Sequence, residues 1–176
     1  MKITNVLAID APVESVWDVL GPNFVHAGDW ASNVYASTPR PGKARVAAAP
    51  CAGRICETSM GPFNETIVGY DPSRYRLAYA ATGAKMPGFM RSMVASWSLA
   101  PNNVNGTNVR MTLNADIAPP FNILMGWMMR MQFKKAIDES LEELKHFIET
   151  GEKHPRKLKV DGTKKAGLAR QQAAAA

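Results

Sequence analysis

The stretch from Pro119 to Thr150, PPFNILMGWMMRMQFKKAIDESLEELKHFIET, constrains the rest of the chain most. Its second half carries one apolar stripe, Ile137, Leu141, Leu144 and Ile148, at the spacing of an amphipathic helix. Lys134, Lys135, Asp138, Glu139, Glu142, Glu143 and Lys145 fill the other positions, so this half lies on something and is wet outside. The first half is different. Phe121, Ile123, Leu124, Met125, Trp127, Met128, Met129, Met131 and Phe133 cover most of the circumference. That half is either surrounded by protein as ordinary core, or it faces a cavity, a partner or lipid. Methionine is unbranched and polarisable, and suits a surface that must adapt its shape.

A helix with one long apolar side needs a sheet to lie on, and the preceding residues supply it. Residues 2–9 alternate, with Ile3, Asn5, Leu7 and Ile9 on one side, and predict a strand. Asp10-Ala11-Pro12 breaks it at a position where a missing N–H costs nothing. Val13–Leu20 then reads as a short helix with Val13, Val16, Trp17 and Leu20 inward. After Gly21-Pro22, the segment from Phe24 to Val34 reads as a helical turn and a bend, and residues 44–46 as a brief strand. Further strands are predicted at about 53–60, 63–70, 74–82, 90–100 and 107–117. Gly61-Pro62, Asp71-Pro72-Ser73 and the Asn-rich tip at 101–106 turn them, and 83–88 forms a longer loop. Period two places Met93, Ala95, Trp97 and Leu99 on one face, with Arg91 in line. The same rule groups Val109, Met111, Leu113, Ala115 and Ile117, then Tyr75, Leu77, Tyr79 and Ala81, then Phe63, Glu65 and Ile67. The opposite faces are small or polar. The expected fold class is α+β: a curved antiparallel sheet wrapped around a long C-terminal helix, with two short helices near the N-terminus.

At 176 residues the chain can bury one sizeable core, and at 46% apolar it is globular. No apolar run approaches the roughly 18 residues of a membrane span. The first residues reach Asp10 without a small-residue cleavage site, which predicts no signal peptide and a cytoplasmic location. Cys51 and Cys56 fit neither a zinc pair nor a redox motif and are expected as free thiols. The net charge of +6 is concentrated at the end. Residues 151–176 hold seven Lys/Arg against two Asp/Glu, a surplus of five that leaves one for residues 1–150. The folded part therefore shows no net basic excess of the kind a nucleic-acid domain usually carries. Residues 1–150 are expected to form the domain and 151–176 a basic, disordered tail, with weak contacts to acidic surfaces as its minor use.

In this order the motifs resemble a known group. APVESVWDVL after an N-terminal strand is similar to the A-P-x-x-x-V-W signature of the START/Bet v 1-like (SRPBCC) superfamily, which includes polyketide cyclase/dehydrase-like and lipid-transport proteins. Trp30, the run Pro41–Val46, the run from Glu65 to Asp71 and Ser96-Trp97-Ser98-Leu99 followed by Gly106-Thr107 match further motifs in register. The resemblance covers about residues 2–149. It implies a helix-grip fold with a deep cavity between sheet and long helix, and a small hydrophobic, lipid-like or polyketide-like ligand. It does not imply one activity, because such folds host carriers, receptors and enzymes alike. The loops at 60–62 and 85–87 fall where plant hormone receptors of the superfamily close their cavity, without those receptors' residues.

The chemistry-bearing candidates are few. Glu65 is an acid on an apolar strand face: either a polar anchor or base in the cavity, or a carboxylate paired with Arg91 or Arg45. Arg91 either clamps a ligand's polar group or lies in water at a strand end. His26 and Asp29, three apart beside Trp30, form either an acid–base pair or a surface pair. Tyr79, Met93, Trp97, Met111, Phe121, Leu124, Met125 and Met128 are the candidate ligand-lining residues. No three metal ligands cluster, and no dinucleotide, phosphate-loop or nucleophile-elbow motif occurs, so neither metal nor cofactor is expected. The expected function is non-enzymatic binding of a small hydrophobic molecule as carrier or sensor. The alternatives are a cyclase/dehydratase-type enzyme using Glu65, or His26 with Asp29, and a module whose Met-rich face meets a partner.

Overall fold

The computed structural model describes residues 1–175. Seven strands form one antiparallel sheet: β1 (Lys2–Ile9), β2 (Val34–Pro39), β3 (Gly53–Thr58), β4 (Gly61–Asp71), β5 (Arg76–Gly83), β6 (Met90–Pro101) and β7 (Thr107–Ile117). Their order across the sheet is β1-β7-β6-β5-β4-β3-β2, so the first strand closes back beside the last. The helices are α1 (Val13–Leu20), a single turn α2 (Phe121–Leu124), the long α3 (Gly126–Thr150), and α4 (Pro155–Asp161) with α5 (Lys164–Ala174). A short 3-10 segment, Phe24–Asp29, follows α1. This is the expected helix-grip α+β layout.

The apolar face of the sheet and the stripe of α3 meet as the periodicity requires. Ile137, Leu141 and Leu144 are fully buried with Ile3, Ile9, Val109, Met111 and Leu113, and Ile148 packs at the margin. Val13, Val16, Trp17 and Leu20 of α1 join the same core. Gly151 ends α3 in the left-handed conformation (φ 73°), its N–H bonded to the Phe147 carbonyl. Among the described residues no helix is long and apolar enough to cross a membrane.

Four expectations need correction. Residues 34–39 form β2 rather than a bend and loop; VYASTP carries no apolar alternation by which a strand is read. Residues 44–46 form no strand. The long helix is interrupted at Met125 (φ −121°, ψ 0°), which separates the turn α2 from α3. The segment expected to be a disordered tail forms α4 and α5. His154 accepts a hydrogen bond from the Arg156 N–H at 3.1 Å, and Thr163 one from the Ala166 N–H at 3.2 Å, as N-caps do.

The charges expected to keep this segment in water are what dock it. Glu143 of α3, read as a wet position, is only 1% exposed. It accepts hydrogen bonds from the Ser32 N–H (2.8 Å), the Ser32 hydroxyl (2.6 Å) and Arg156 (2.8 Å). Lys157 is 0% exposed. Its ammonium donates to the Val34 carbonyl (2.8 Å) and lies 2.9 Å from Asp161, which also pairs with Lys153 and Arg170. Burial lowers the Lys157 pKa, with Asp161 opposing the shift. Burial works against the Asp161 charge, but Lys157 and Lys153 outweigh it and hold this carboxyl below its usual range. A buried charge is tolerated only when paired and hydrogen-bonded, and here it is.

Candidate functional site

A cavity of about 60 Å³ lies between the sheet, the α1/3-10 region and the middle of α3. Its walls include Leu20, Phe24, Trp30, Leu77, Trp97 and Met111. Its polar groups are Arg54, Glu65 and Tyr79 of the sheet, Asn33 before β2 and Ser140 of α3. Inward alternation along β3 and β4 brings the first two together, because Arg54 and Glu65 are direct partners in the ladder. Gly53 lets the strands approach. Its φ is 145°, and a Cβ there would sit 1.9 Å from the Glu65 carbonyl oxygen.

The pair is tightly held. Arg54 Nε donates to Glu65 Oε2 at 2.6 Å, and Nη1 donates to the Phe24 carbonyl at 2.6 Å. The guanidinium lies 4.1 Å from the centroid of the Phe24 ring and 5.4 Å from that of Tyr79. Burial opposes the Arg54 charge, yet the adjoining Glu65 carboxylate outweighs it and raises the pKa. Burial and the same carboxylate raise the Tyr79 phenol well above its ordinary value. Burial pushes the Cys56 thiol, on the same strand face, up to about 12, so it is no nucleophile. Among the described residues the Nη2 of Arg54 and the Oε1 of Glu65 make no hydrogen bond. These two atoms are free to meet a guest.

The structure gathers Glu65, Tyr79, Trp97 and Met111 of the predicted site residues around this cavity. It places the others elsewhere. Arg91 is exposed on β6, and neither it nor Arg45 pairs with Glu65. Met93 is half-buried against the main core. Met125 packs on a separate cluster of Ala115, Ile117 and Met129, while Phe121 and Leu124 are exposed and Met128 is half-buried. None of the four front-half residues proposed as cavity wall lines it. His26 and Asp29 lie outside too, with Nδ1 3.6 Å from Oδ2 and both side chains mostly exposed. They border an open groove of about 640 Å³ between β2 and α4/α5. Arg54 was missed, although alternation along β3 puts it on one face with Cys56 and Thr58; an arginine inside that face was the available signal. Among the described residues no three metal-ligating side chains cluster.

The sequence profile of the family described as polyketide cyclase/dehydrase and lipid transport matches residues 1–149. The chain belongs to this family. A comparison with curated protein sequences finds no match. Solved structures share the fold. Protein XoxI from Bacillus cereus superposes with a TM-score of 0.68 at 15% identity, over 87% of this chain and 99% of its own. A START superfamily protein from Mycobacterium smegmatis gives 0.67 at 12% identity, over 84% and 97%. A protein from Nitrosospira multiformis gives 0.65 at 19% identity, over 86% and 98%. At such identities the likeness concerns the fold alone. The family match ends at residue 149, so α4 and α5 extend the polyketide cyclase/dehydrase and lipid-transport domain.

Proposed function

We propose that this domain binds a small, mostly apolar molecule with one polar head group in the interior between sheet and α3, as a carrier or sensor. The observation that carries this reading is the Arg54–Glu65 pair facing a void walled by Phe24, Tyr79, Trp97 and Met111. A core needs no such pair, because apolar side chains of equal volume are at least as stabilising. A binding site does need it: apolar walls supply affinity and a few polar groups fix orientation. A hydroxyl, carbonyl or carboxylate head would meet Arg54 Nη2, and a donor would meet Glu65 Oε1.

The cavity of about 60 Å³ holds only a few water molecules. Small-molecule sites run to roughly 300–1,000 Å³, so a guest of that size requires this cavity to widen into the deep one the resemblance implies. The wall opposite the sheet is the 3-10 segment, whose backbone departs from helical geometry at His26 (φ −94°, ψ 24°). Movement of that segment would widen the cavity from the Phe24 side. The reading as an enzyme would require Glu65 to exchange protons while Arg54 occupies it, and His26 with Asp29 would have to act from outside the cavity.

Native mass spectrometry of the purified protein tests the proposal. The expected result is a retained small molecule, or uptake of fatty acids and aromatic polyketides from a panel, weakened in Trp97→Ala. Bare protein with no uptake, together with unchanged Phe24 and Trp97 environments by NMR, would remove it. Glu65→Gln separates binding from catalysis: a binder loses modest affinity, whereas an enzyme retains binding and loses turnover.

A further inference from the structure

The end of the molecule formed by α2, the start of α3 and the β5–β6 loop presents apolar side chains to water. Ile123 is 78% exposed, Leu124 and Trp127 are each 67% and Met131 is 60%. Trp127 and Met131 are four apart and share the helix face opposite Met129 and Ile137, which are buried. Phe121 stacks on Phe89 at 4.5 Å between centroids, which joins the β5–β6 loop to the same patch. A surface helix ordinarily reverses this arrangement, and contiguous exposed apolar patches of this kind mark interaction sites.

The charges around the patch are mostly positive; the exception is Asp116, exposed on β7 opposite Ser92 in the ladder. Residues 117–137 contain Arg130, Lys134 and Lys135 and no acid. Residues 83–91 add Lys85 and Arg91, again with no acid. Lys134 and Lys135 also reach Asp138 (2.6 Å) and Glu139 (3.8 Å) one turn further on, while Lys85, Arg91 and Arg130 form no ion pair among the described residues.

We infer that this face docks on an anionic lipid bilayer, with Ile123, Leu124, Trp127 and Met131 entering the headgroup boundary and the cations meeting lipid phosphates and carboxylates. An apolar centre with an exposed tryptophan and a basic rim is the pattern of an interfacial helix. A second copy fits less well. A two-fold interface brings the same patch to itself, so the unpaired cations would face like charges. This inference concerns the outer surface and stands whether or not the interior holds a guest.

Vesicle co-sedimentation tests it. The protein should pellet with vesicles of roughly 70:30 phosphatidylcholine and phosphatidylserine, far less with phosphatidylcholine alone, and progressively less as salt rises. Trp17, Trp30 and Trp97 are buried, so quenching of tryptophan fluorescence by brominated lipid reports mainly Trp127 without any substitution. Trp127→Ala with Ile123→Ser should weaken binding at least about tenfold. Arg130→Gln with Lys135→Gln should weaken binding to the mixed vesicles several-fold and leave binding to neutral ones unchanged. Near-UV circular dichroism confirms that each variant is folded. Absence of pelleting and of quenching with the mixed vesicles would overturn the inference. So would a dimer, seen by sedimentation velocity without lipid, that Trp127→Ala dissociates.

Discussion

The two ends of α3 invert each other. At the rear, Glu143 is buried beneath Arg156 and Ser32, and Lys157 beside it is buried between Val34 and Asp161. At the front, Trp127 and Met131 stand in water with Arg130, Lys134 and Lys135 around them. Polarity alone would assign the rear to solvent and the front to core. What decides instead is partnership. A charge goes inside when counter-charges and hydrogen bonds come with it, and α4 brings them. An apolar side chain stays outside when no element of the chain is left to cover it. The Arg54–Glu65 pair follows the rule of the rear end in the centre of the molecule.

The largest expected effect lies at that central pair. Arg54→Met leaves Glu65 buried without its counter-charge and should cost about 3–5 kcal/mol in urea unfolding. Adding Glu65→Leu should restore most of that loss, since a buried pair and an apolar replacement are nearly equal in stability. If the single and the double variant are equally damaged, partnership is not what holds the charge inside.

At the rear, Arg156→Met should cost less, about 1–3 kcal/mol, because Ser32 still donates two hydrogen bonds to Glu143 and Arg156 itself is partly exposed. In a double-mutant cycle with Glu143→Gln, a coupling of about 1 kcal/mol or more is expected. Additive losses would mean that α4 docks through packing alone.

What the sequence shows and what it hides divide along the same line. Six of the seven strands, α1 and the stripe Ile137–Leu141–Leu144 were legible, because period and turn residues report which side is apolar; β2 was not. The pairing of Glu65 with Arg54, rather than with Arg91 or Arg45, depends on strand register, which alternation along one strand does not contain. The folding of residues 155–174 was hidden because residues 151–176 carry five surplus positive charges that read as solvated, when four of the seven cations in that stretch have carboxylate partners. Its local signals, His154-Pro155 and Thr163 as N-caps, were present. The front half of α3 misled for the opposite reason: density of apolar residues says that a surface will be covered, but not by what.

Acid offers a gentler probe of the rear end. The Asp161 carboxyl has a folded pKa below its ordinary 3.8. Its contribution is therefore complete above the unfolded value of about 3.9 and is lost as pH falls through the folded one. Hydrogen exchange should show α4 and α5 losing protection below about pH 4 before α3 does, with a loss under about 1 kcal/mol. Equal protection of all three helices at low pH would place the hold on α4 and α5 elsewhere than in Asp161.

The smallest effect should come from the largest side chain at the front. Trp127→Ala removes an indole that touches mostly water, so thermal stability without lipid should change by no more than about 0.5 kcal/mol. Removal of an equally large buried ring costs about 3–5 kcal/mol. Trp97→Ala, with Trp97 inside the sheet's apolar face, is the matched comparison. A large loss for Trp127→Ala would mean that the front half is core after all and that the contrast between the two ends of α3 does not hold. A small one would leave a tryptophan in water that the fold does not need, and a partner outside the chain as the physical reason for it.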